Sequence, residues 1–181
     1  PATFRSEDLI FGEFNQTEVE ICDFSAFNME LREKTVKSLG IKNFQGILFK
    51  ATFPKELAHW VYVCDKKEAG LRKEGEIALM DNPSFNRYFD VFTEDQILAR
   101  YALSPKLMER FCSLKEKFNC PISMVLRNRE VIVAANLGKN SFEPSFEKSL
   151  LEDSTIRDYI SSIKGFTDMV KELGLNNHIW K

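Results

Sequence analysis

The residues best suited to chemistry in this sequence are five closely spaced polar side chains: Asp90, Asp95, Gln96, Arg100 and Tyr101. On a helix through this segment, Gln96 and Arg100 lie four residues apart and share one face. Asp95 can pair with a neighbouring basic group. A carboxylate, an amide and a guanidinium grouped in this way can bind a peptide or a small anion. We call these five residues the predicted binding cluster.

The same residues also have a structural interpretation. Gln96 can serve in a helix cap, and Arg100 can pair with Asp90 or Asp95 to hold a helix against a strand. A third alternative is a hydrolase or small-ligand-binding enzyme that uses Asp90, Asp95 and Arg100. An active site would gather these side chains in a concave pocket with shifted pKa values. An interaction domain would instead show an exposed apolar patch or an unpaired sheet edge.

Other kinds of catalytic site have little support. The two histidines, His59 and His178, are not near a cysteine, so the spacing of a structural zinc site is absent and we expect no metal. A serine or cysteine nucleophile needs a base, and neither histidine is well placed to act as one. The sequence has no nucleophile elbow, phosphate loop or dinucleotide fingerprint. We therefore expect no catalytic residues and no cofactor, and these observations favour a non-enzymatic role over an enzymatic one.

The overall charge also limits the partners. The chain has 25 Lys and Arg against 27 Asp and Glu, a formal net charge of −2, so no bulk positive field would attract nucleic acid. No apolar run is long enough to cross a bilayer, and we expect a soluble chain. A membrane is expected as a partner only through segments outside this sequence. A protein or peptide is the expected partner.

Helix-start signals surround the predicted binding cluster. Thr93-Glu94-Asp95-Gln96 is a capping-box pattern that predicts a short helix beginning at Thr93. Ser104-Pro105 is a second start signal, and the apolar spacing after it predicts an amphipathic helix, Pro105–Phe118. The aromatic residues of Phe85–Phe92 predict a helical turn that runs into a short strand. These elements would position the cluster at a junction of helix and strand.

The rest of the sequence predicts antiparallel strands. We expect two separate strands where Pro54-Lys55 interrupts the third apolar run, and a hairpin around Arg127–Glu130. The charged Glu30–Lys42 segment is expected to be a long exposed excursion. The predicted strands are Leu9–Phe14, Thr17–Phe24, Gln45–Phe53, Trp60–Cys64, Ile77–Met80, Ile122–Leu126 and Val131–Ala135.

The end of the chain has a regular helical period from Ile156 to Leu173, closed by Gly174. With no repeat or linker, the sequence predicts one domain over 1–181: strand-rich at 8–80, mixed helix and hairpin at 81–136, and a C-terminal helix at about 153–174. The fold class is α+β. It is mainly antiparallel sheet, as a small barrel or sandwich such as the pleckstrin-homology type, packed by two main helices, Pro105–Phe118 and Thr155–Leu173.

Short motifs follow one another in order from the middle of the chain to the Asn176–Trp180 ending, and looser ones, Gly12-Glu13 and Gly46-Ile47-Leu48-Phe49, lie in the opening strands. Together they resemble a bacterial family known as domain of unknown function 3137, although Asn82 stands where the family pattern has an acid. The motifs are Asn82-Pro83-Ser84-Phe85, Tyr88-Phe89-Asp90-Val91, Asp95-Gln96, Ala99-Arg100-Tyr101, Ser104-Pro105, Met108-Glu109-Arg110 and Phe142-Glu143-Pro144-Ser145.

The resemblance implies a location more than an activity. Members often carry one or two membrane-spanning helices ahead of this domain, and no established activity comes with the family. We therefore expect a cytoplasmic domain, cut from a membrane-anchored bacterial protein, that binds a protein or peptide without catalysis. The hydrolase or ligand-binding enzyme based on Asp90, Asp95 and Arg100 remains the alternative.

Overall fold

A computed structural model describes residues 2–14, 17–28, 44–68 and 75–138. The described segments form one antiparallel sheet with three α-helices and a 3-10 turn at Lys66–Glu68. The strands are β1 (Ala2–Phe14), β2 (Thr17–Asn28), β3 (Phe44–Asp65), β4 (Glu76–Ala78), β5 (Phe89–Thr93) and β6 (Ile122–Asn136), and the helices are α1 (Pro83–Tyr88), α2 (Gln96–Ala102) and α3 (Pro105–Phe118).

Strand β3 is the centre of the sheet. Its first half pairs with β2, which pairs in turn with β1. Its second half pairs with β5, which pairs in turn with β4. The opposite edge of β3 pairs with β6 along both halves. The confirmed fold class is therefore α+β and mainly antiparallel, and the described strands make one open sheet.

The prediction of two strands separated by a loop at Pro54-Lys55 is wrong, because β3 runs through this point. Its register against β6 shifts between Thr52 and Leu57 and again between Leu57 and Val61. A bulge leaves residues outside the hydrogen-bond ladder, so a proline without a backbone N–H can be accommodated there.

The predicted hairpin around Arg127–Glu130 is also wrong, because β6 is one strand whose two arms both pair with β3. Buried residues alternate as Ile122, Met124 and Leu126 before the polar segment, and as Val131, Val133 and Ala135 after it. The phase changes because Asn128, at φ 52, lies in the irregular stretch between them.

The helix α3 begins and ends as predicted. The Ser104 hydroxyl accepts a hydrogen bond from the Leu107 amide, and Pro105 occupies the first helical position. Asn119 ends the helix in the left-handed conformation. Phe111 of α3 is fully buried, and its ring centroid lies 4.8 Å from that of Phe89 in β5. The core therefore lies between the helices and the inner face of the sheet.

The helix α2 begins later than the capping-box prediction. It starts at Gln96, and its N-cap is Asp95, whose Oδ1 accepts from the Ile97 and Leu98 amides at 2.9 and 3.0 Å. Thr93 ends β5 instead, and its hydroxyl accepts from the Asp95 amide at 3.1 Å. A carboxylate cap also interacts favourably with the positive end of the helix dipole, which explains the preference for Asp95.

Several predictions fall outside the described residues. They are the Asn15-Gln16 turn, the Glu30–Lys42 excursion, the C-terminal helix Thr155–Leu173 and the Asn176–Trp180 ending. The prediction of a single domain over 1–181 likewise stays a prediction.

Candidate interaction surface

The structure places the predicted binding cluster at the surface, where its charged members make separate contacts. Asp95 caps α2, as described above. Asp90 Oδ1 lies 3.4 Å from Nζ of Lys66, and Arg100 Nη2 donates to the Leu79 carbonyl oxygen at 3.3 Å. The structure therefore gives Asp90, Asp95 and Arg100 a different partner each.

The other two members are exposed on α2. Gln96 is at the first helical position, and Tyr101 is 58% exposed next to Arg100. Ile97, on the same helix, is 81% exposed, and Leu79, whose carbonyl accepts from Arg100, is 72% exposed. This part of α2 is an apolar surface with polar residues beside it, and a role of the cluster in binding stays a prediction.

Within residues 2–14, 17–28, 44–68 and 75–138, no three histidine, cysteine or acidic side chains are placed to hold a metal ion. None of the helices in these segments has the length and apolar character needed to cross a bilayer.

A buried ion pair, which sequence reasoning missed, joins the end of β3 to α3 and β6. Lys115 Nζ lies 2.5 Å from Asp65 Oδ2 and donates to the Cys120 carbonyl oxygen at 2.7 Å. The same Asp65 carboxylate accepts from the amides of Ile122 at 3.1 Å and Lys67 at 2.9 Å. Both charges are buried, and their partners satisfy them, so we interpret this group as a structural clamp.

Tyr62 of β3 is half-buried and lies next to Cys64 and Ser123. Burial is the main cause that raises the pKa of Tyr62 to about 12, and the neighbouring Cys64 contributes to the same shift. Ser123, which accepts from the Asp65 amide at 3.4 Å, opposes this shift through a hydrogen bond to Tyr62. The phenol is therefore held in its neutral form.

The opposite end of the sheet has an outward face that is not purely polar. We define this outward face as the side of β1, β2, the first half of β3 and the second half of β6 that carries Glu20, Phe24 and Lys50. Strands usually bury apolar side chains and expose polar ones. At the end of β2 this polarity is reversed, because Asp23 and Ser25 are buried while Phe24 is only half-buried. Apolar side chains therefore occupy part of the side that faces away from the core.

Three phenylalanines form a row across this face. Phe4 of β1 and Phe44 of β3 stand opposite Ala26 from either side of β2. The Phe24 ring lies between them, with centroids 6.1 Å from Phe4 and 5.9 Å from Phe44. Phe4 is 67% exposed and ends the row at the outermost described strand. We call Phe4, Phe24 and Phe44 the aromatic row.

The backbones of β3 and β6 pack closely beside this row. Gly46 of β3 stands opposite Phe24. A Cβ at Gly46 would lie 2.1 Å from the Ala135 carbonyl oxygen of β6, so no larger residue fits without a backbone shift. Gly46 is therefore required by the close approach of the β6 backbone to β3.

The same outward face becomes acidic beyond the aromatic row. Glu13 of β1 stands directly opposite Glu18 of β2, and Glu20 follows on the same side of β2. Lys50 Nζ contacts Glu20 at 3.5 Å and Glu130 at 3.1 Å. The hydrogen bond to Glu130 is the main cause of a raised Lys50 pKa. We call Glu13, Glu18, Glu20 and Glu130 the acidic group.

An edge strand borders both parts of this face. Among the described strands, β1 pairs with β2 and its other edge has no partner. The register is regular from Ala2 to Glu7, then shifts before Ile10, and Asp8 has φ 53 at this bulge. The bulge separates the segment that carries Phe4 from the segment that carries Glu13.

The aromatic row escaped prediction because its members fall at strand ends. Phe4 precedes the predicted strand Leu9–Phe14, Phe24 ends its predicted strand, and Phe44 comes one residue before Gln45–Phe53. The signal that could have revealed Phe24 is the alternation along the predicted strand Thr17–Phe24, which puts Phe24 on the same side as Glu20.

Comparisons with known proteins agree with the family resemblance and add no activity. A family model described as "Protein of unknown function (DUF3137)" matches residues 42–175. No curated protein matches the chain. A similar solved structure is that of the mycobacterial trehalose monomycolate transport factor A, TtfA, with 13% sequence identity and a TM-score of 0.42, over 93% of this chain and 74% of that chain. Similarity at this level carries no functional information.

Proposed function

Since the chain belongs to the DUF3137 family, whose function is unknown, we propose from its own surface that it is a non-enzymatic domain that binds a protein or peptide. The aromatic row carries this proposal. Its outermost member, Phe4, is 67% exposed on a strand whose outer edge has no partner among the described residues. A membrane-associated, cytoplasmic location stays a prediction from the family resemblance.

Phe4, at the exposed end of the aromatic row, has no stabilising role that requires its exposure. Removal of apolar area from water is favourable by about 25 cal/mol per Å², so Phe4 contributes most when something covers it. Aromatic side chains are enriched at protein interfaces, where they supply rigid apolar contact area. An extended segment placed beside β1 would both pair with its edge and cover Phe4.

A second exposed apolar surface lies at β4 and α2. Ile77 is 55% exposed, and Leu79, Ile97 and Tyr101 are more exposed still. The outward face is the better candidate, because its rings are held in contact with one another and end at an open strand edge. The α2 surface therefore supplies a matched control.

The enzymatic alternative has weaker support. A hydrolase based on Asp90, Asp95 and Arg100 needs these groups to converge on one substrate. In the structure they contact Lys66, the α2 amides and the Leu79 carbonyl respectively.

The proposal is tested by selection from a phage-displayed library of random peptides of about twelve residues, a length that spans β1 when extended. We expect the wild-type chain to enrich related peptides, and the Phe4→Ser variant to lose them. The control is Ile97→Ser, because Ile97 is 81% exposed on α2 and lies outside the outward face.

Both variants must keep the wild-type circular dichroism spectrum and melting temperature, since both positions are exposed. No enrichment by the wild-type chain would contradict the proposal. Equal enrichment by wild type and Phe4→Ser would show that the aromatic row is not the binding surface. Loss of the enriched peptides by the Ile97→Ser variant alone would show that the binding surface is on α2.

A further inference from the structure

We infer that the partner on the outward face is an extended polypeptide segment that carries lysine or arginine next to apolar side chains. This inference rests on the proposed function and adds the chemistry of the partner. Its basis is the juxtaposition, on one sheet face, of the aromatic row with carboxylates that no described cation neutralises.

The strongest observation is a cross-strand pair of like charges. Glu13 and Glu18 are register partners on adjacent antiparallel strands, and both are exposed. Like charges directly opposite each other destabilise a sheet. Within residues 2–14, 17–28, 44–68 and 75–138, neither carboxylate has an ion pair, while the nearby Lys50 contacts Glu20 and Glu130. A cation from a partner would relieve this repulsion.

The aromatic and acidic parts are continuous along β1. Phe4 is in the regular segment before the bulge, while Phe11 and Glu13 follow it. Phe11 is 80% exposed and stands opposite Glu20, so it connects the two parts. From Phe4 to Glu13 an extended chain covers about 30 Å. A partner segment of about ten residues, with apolar side chains at one end and basic ones at the other, would match this length.

Charge also argues against other occupants. An anionic membrane surface would be repelled by Glu13 and Glu18, since these two carboxylates stand opposite each other and neither has an ion pair among the described residues. A second copy of this chain would bring its own acidic group against the same face or would leave both acidic groups without a cation. A polypeptide segment with basic and apolar side chains would supply both a cation for the carboxylates and apolar contacts for the aromatic row.

The test starts from the peptides that the wild-type chain selects. We expect the enriched peptides to carry lysine or arginine next to aromatic or branched apolar residues. The most enriched peptide is then synthesised with a fluorescent label, together with a version in which each basic residue is replaced by glutamine. Fluorescence anisotropy at low and high salt measures both affinities.

The matched protein variants are Glu13→Gln with Glu18→Gln, and Glu109→Gln with Glu116→Gln on the exposed part of α3. We expect the first pair of substitutions to lower the affinity for the basic peptide by about tenfold at low salt. The decrease should be smaller at high salt, because salt screens exposed charges. The α3 pair should leave the affinity unchanged, and neither pair should lower the melting temperature.

The outcomes separate the two proposals. Enriched peptides without basic residues, or an affinity that Glu13→Gln/Glu18→Gln does not change, would overturn this inference and leave the proposed function standing. No enrichment of any peptide would overturn the proposed function as well. Dimers of the wild-type chain in sedimentation velocity that Phe4→Ser dissociates would identify a second copy as the occupant and overturn the inference.

Discussion

The clamp around Asp65 and the outward face around Phe4 differ in how their side chains are paired and buried. At the clamp, both charges are buried and Asp65 accepts from Lys115 and two backbone amides. On the outward face, carboxylates stand opposite each other, and a phenylalanine remains 67% exposed. The comparison indicates that the clamp stabilises the fold, while the outward face has exposed side chains that a partner could contact.

The difference has a physical reason. A buried charge without a partner is strongly destabilising, so the partners of Asp65 and Lys115 must be present whenever the chain is folded. Exposed charges and rings are solvated by water, so the fold tolerates them without partners. Groups of the second kind remain available for binding.

The largest expected effect comes from breaking the clamp. Lys115→Met keeps the apolar stem but leaves the Asp65 carboxylate buried without its cation. We expect the free energy of unfolding to fall by about 3–5 kcal/mol, measured by urea denaturation. Lys106→Met, at an exposed position of the same helix, is the control. A loss below about 1 kcal/mol for Lys115→Met would show that the clamp is not structural.

A second comparison sets a core phenylalanine against an exposed one. Phe111 is fully buried against Phe89, so Phe111→Ala should lower the free energy of unfolding by about 3–5 kcal/mol. Phe4→Ser should change it by only about 0.5 kcal/mol. Thermal and urea unfolding measure both. A large decrease in the free energy of unfolding for Phe4→Ser would show that the aromatic row stabilises the fold.

Alkaline pH tests the burial of Tyr62. Burial is the main cause that raises the pKa of Tyr62 to about 12, above the ordinary tyrosine value of about 10 in the unfolded chain. A raised folded-state pKa gives stability that is fully present below pH about 10 and is lost as pH rises toward about 12. Tyr62→Phe should reduce this alkaline loss. The ultraviolet titration of wild type minus Tyr62→Phe should show a late tyrosine ionisation, whereas an ordinary one would mean that Tyr62 is well hydrated.

The smallest expected effect is on the acidic group. Glu13→Gln with Glu18→Gln removes a cross-strand repulsion, so stability should stay equal or rise by a few tenths of a kcal/mol, about the size of exposed charge pairs. Urea denaturation at low salt measures this change. If the double variant is instead clearly less stable, these carboxylates stabilise the fold.

Local signals in the sequence predicted elements well. Ser104 and Pro105 specify the start of α3 through a cap and a fixed φ, and both act within one turn. Phe85, Tyr88 and Phe89 likewise predicted a helical turn followed by a strand, which the structure confirms as α1 and β5. Such features depend on neighbours in sequence, so one sequence is enough to read them.

Features that depend on distant partners were not predicted. The two arms of β6 pair with β3 rather than with each other, and nothing near Arg127–Glu130 indicates this. Lys115 occupies the position four residues after Phe111, on the buried side of α3, but its partner Asp65 lies 50 residues away. The aromatic row likewise depends on the register of three strands.

The affinity of Phe4→Ser for a peptide selected by the wild-type chain tests the central claim most directly. If the aromatic row is a binding surface, Phe4→Ser loses at least about tenfold in affinity, or about 1.4 kcal/mol, while its melting temperature stays at the wild-type value. An unchanged affinity at unchanged stability would contradict the claim that this exposed row is reserved for a partner.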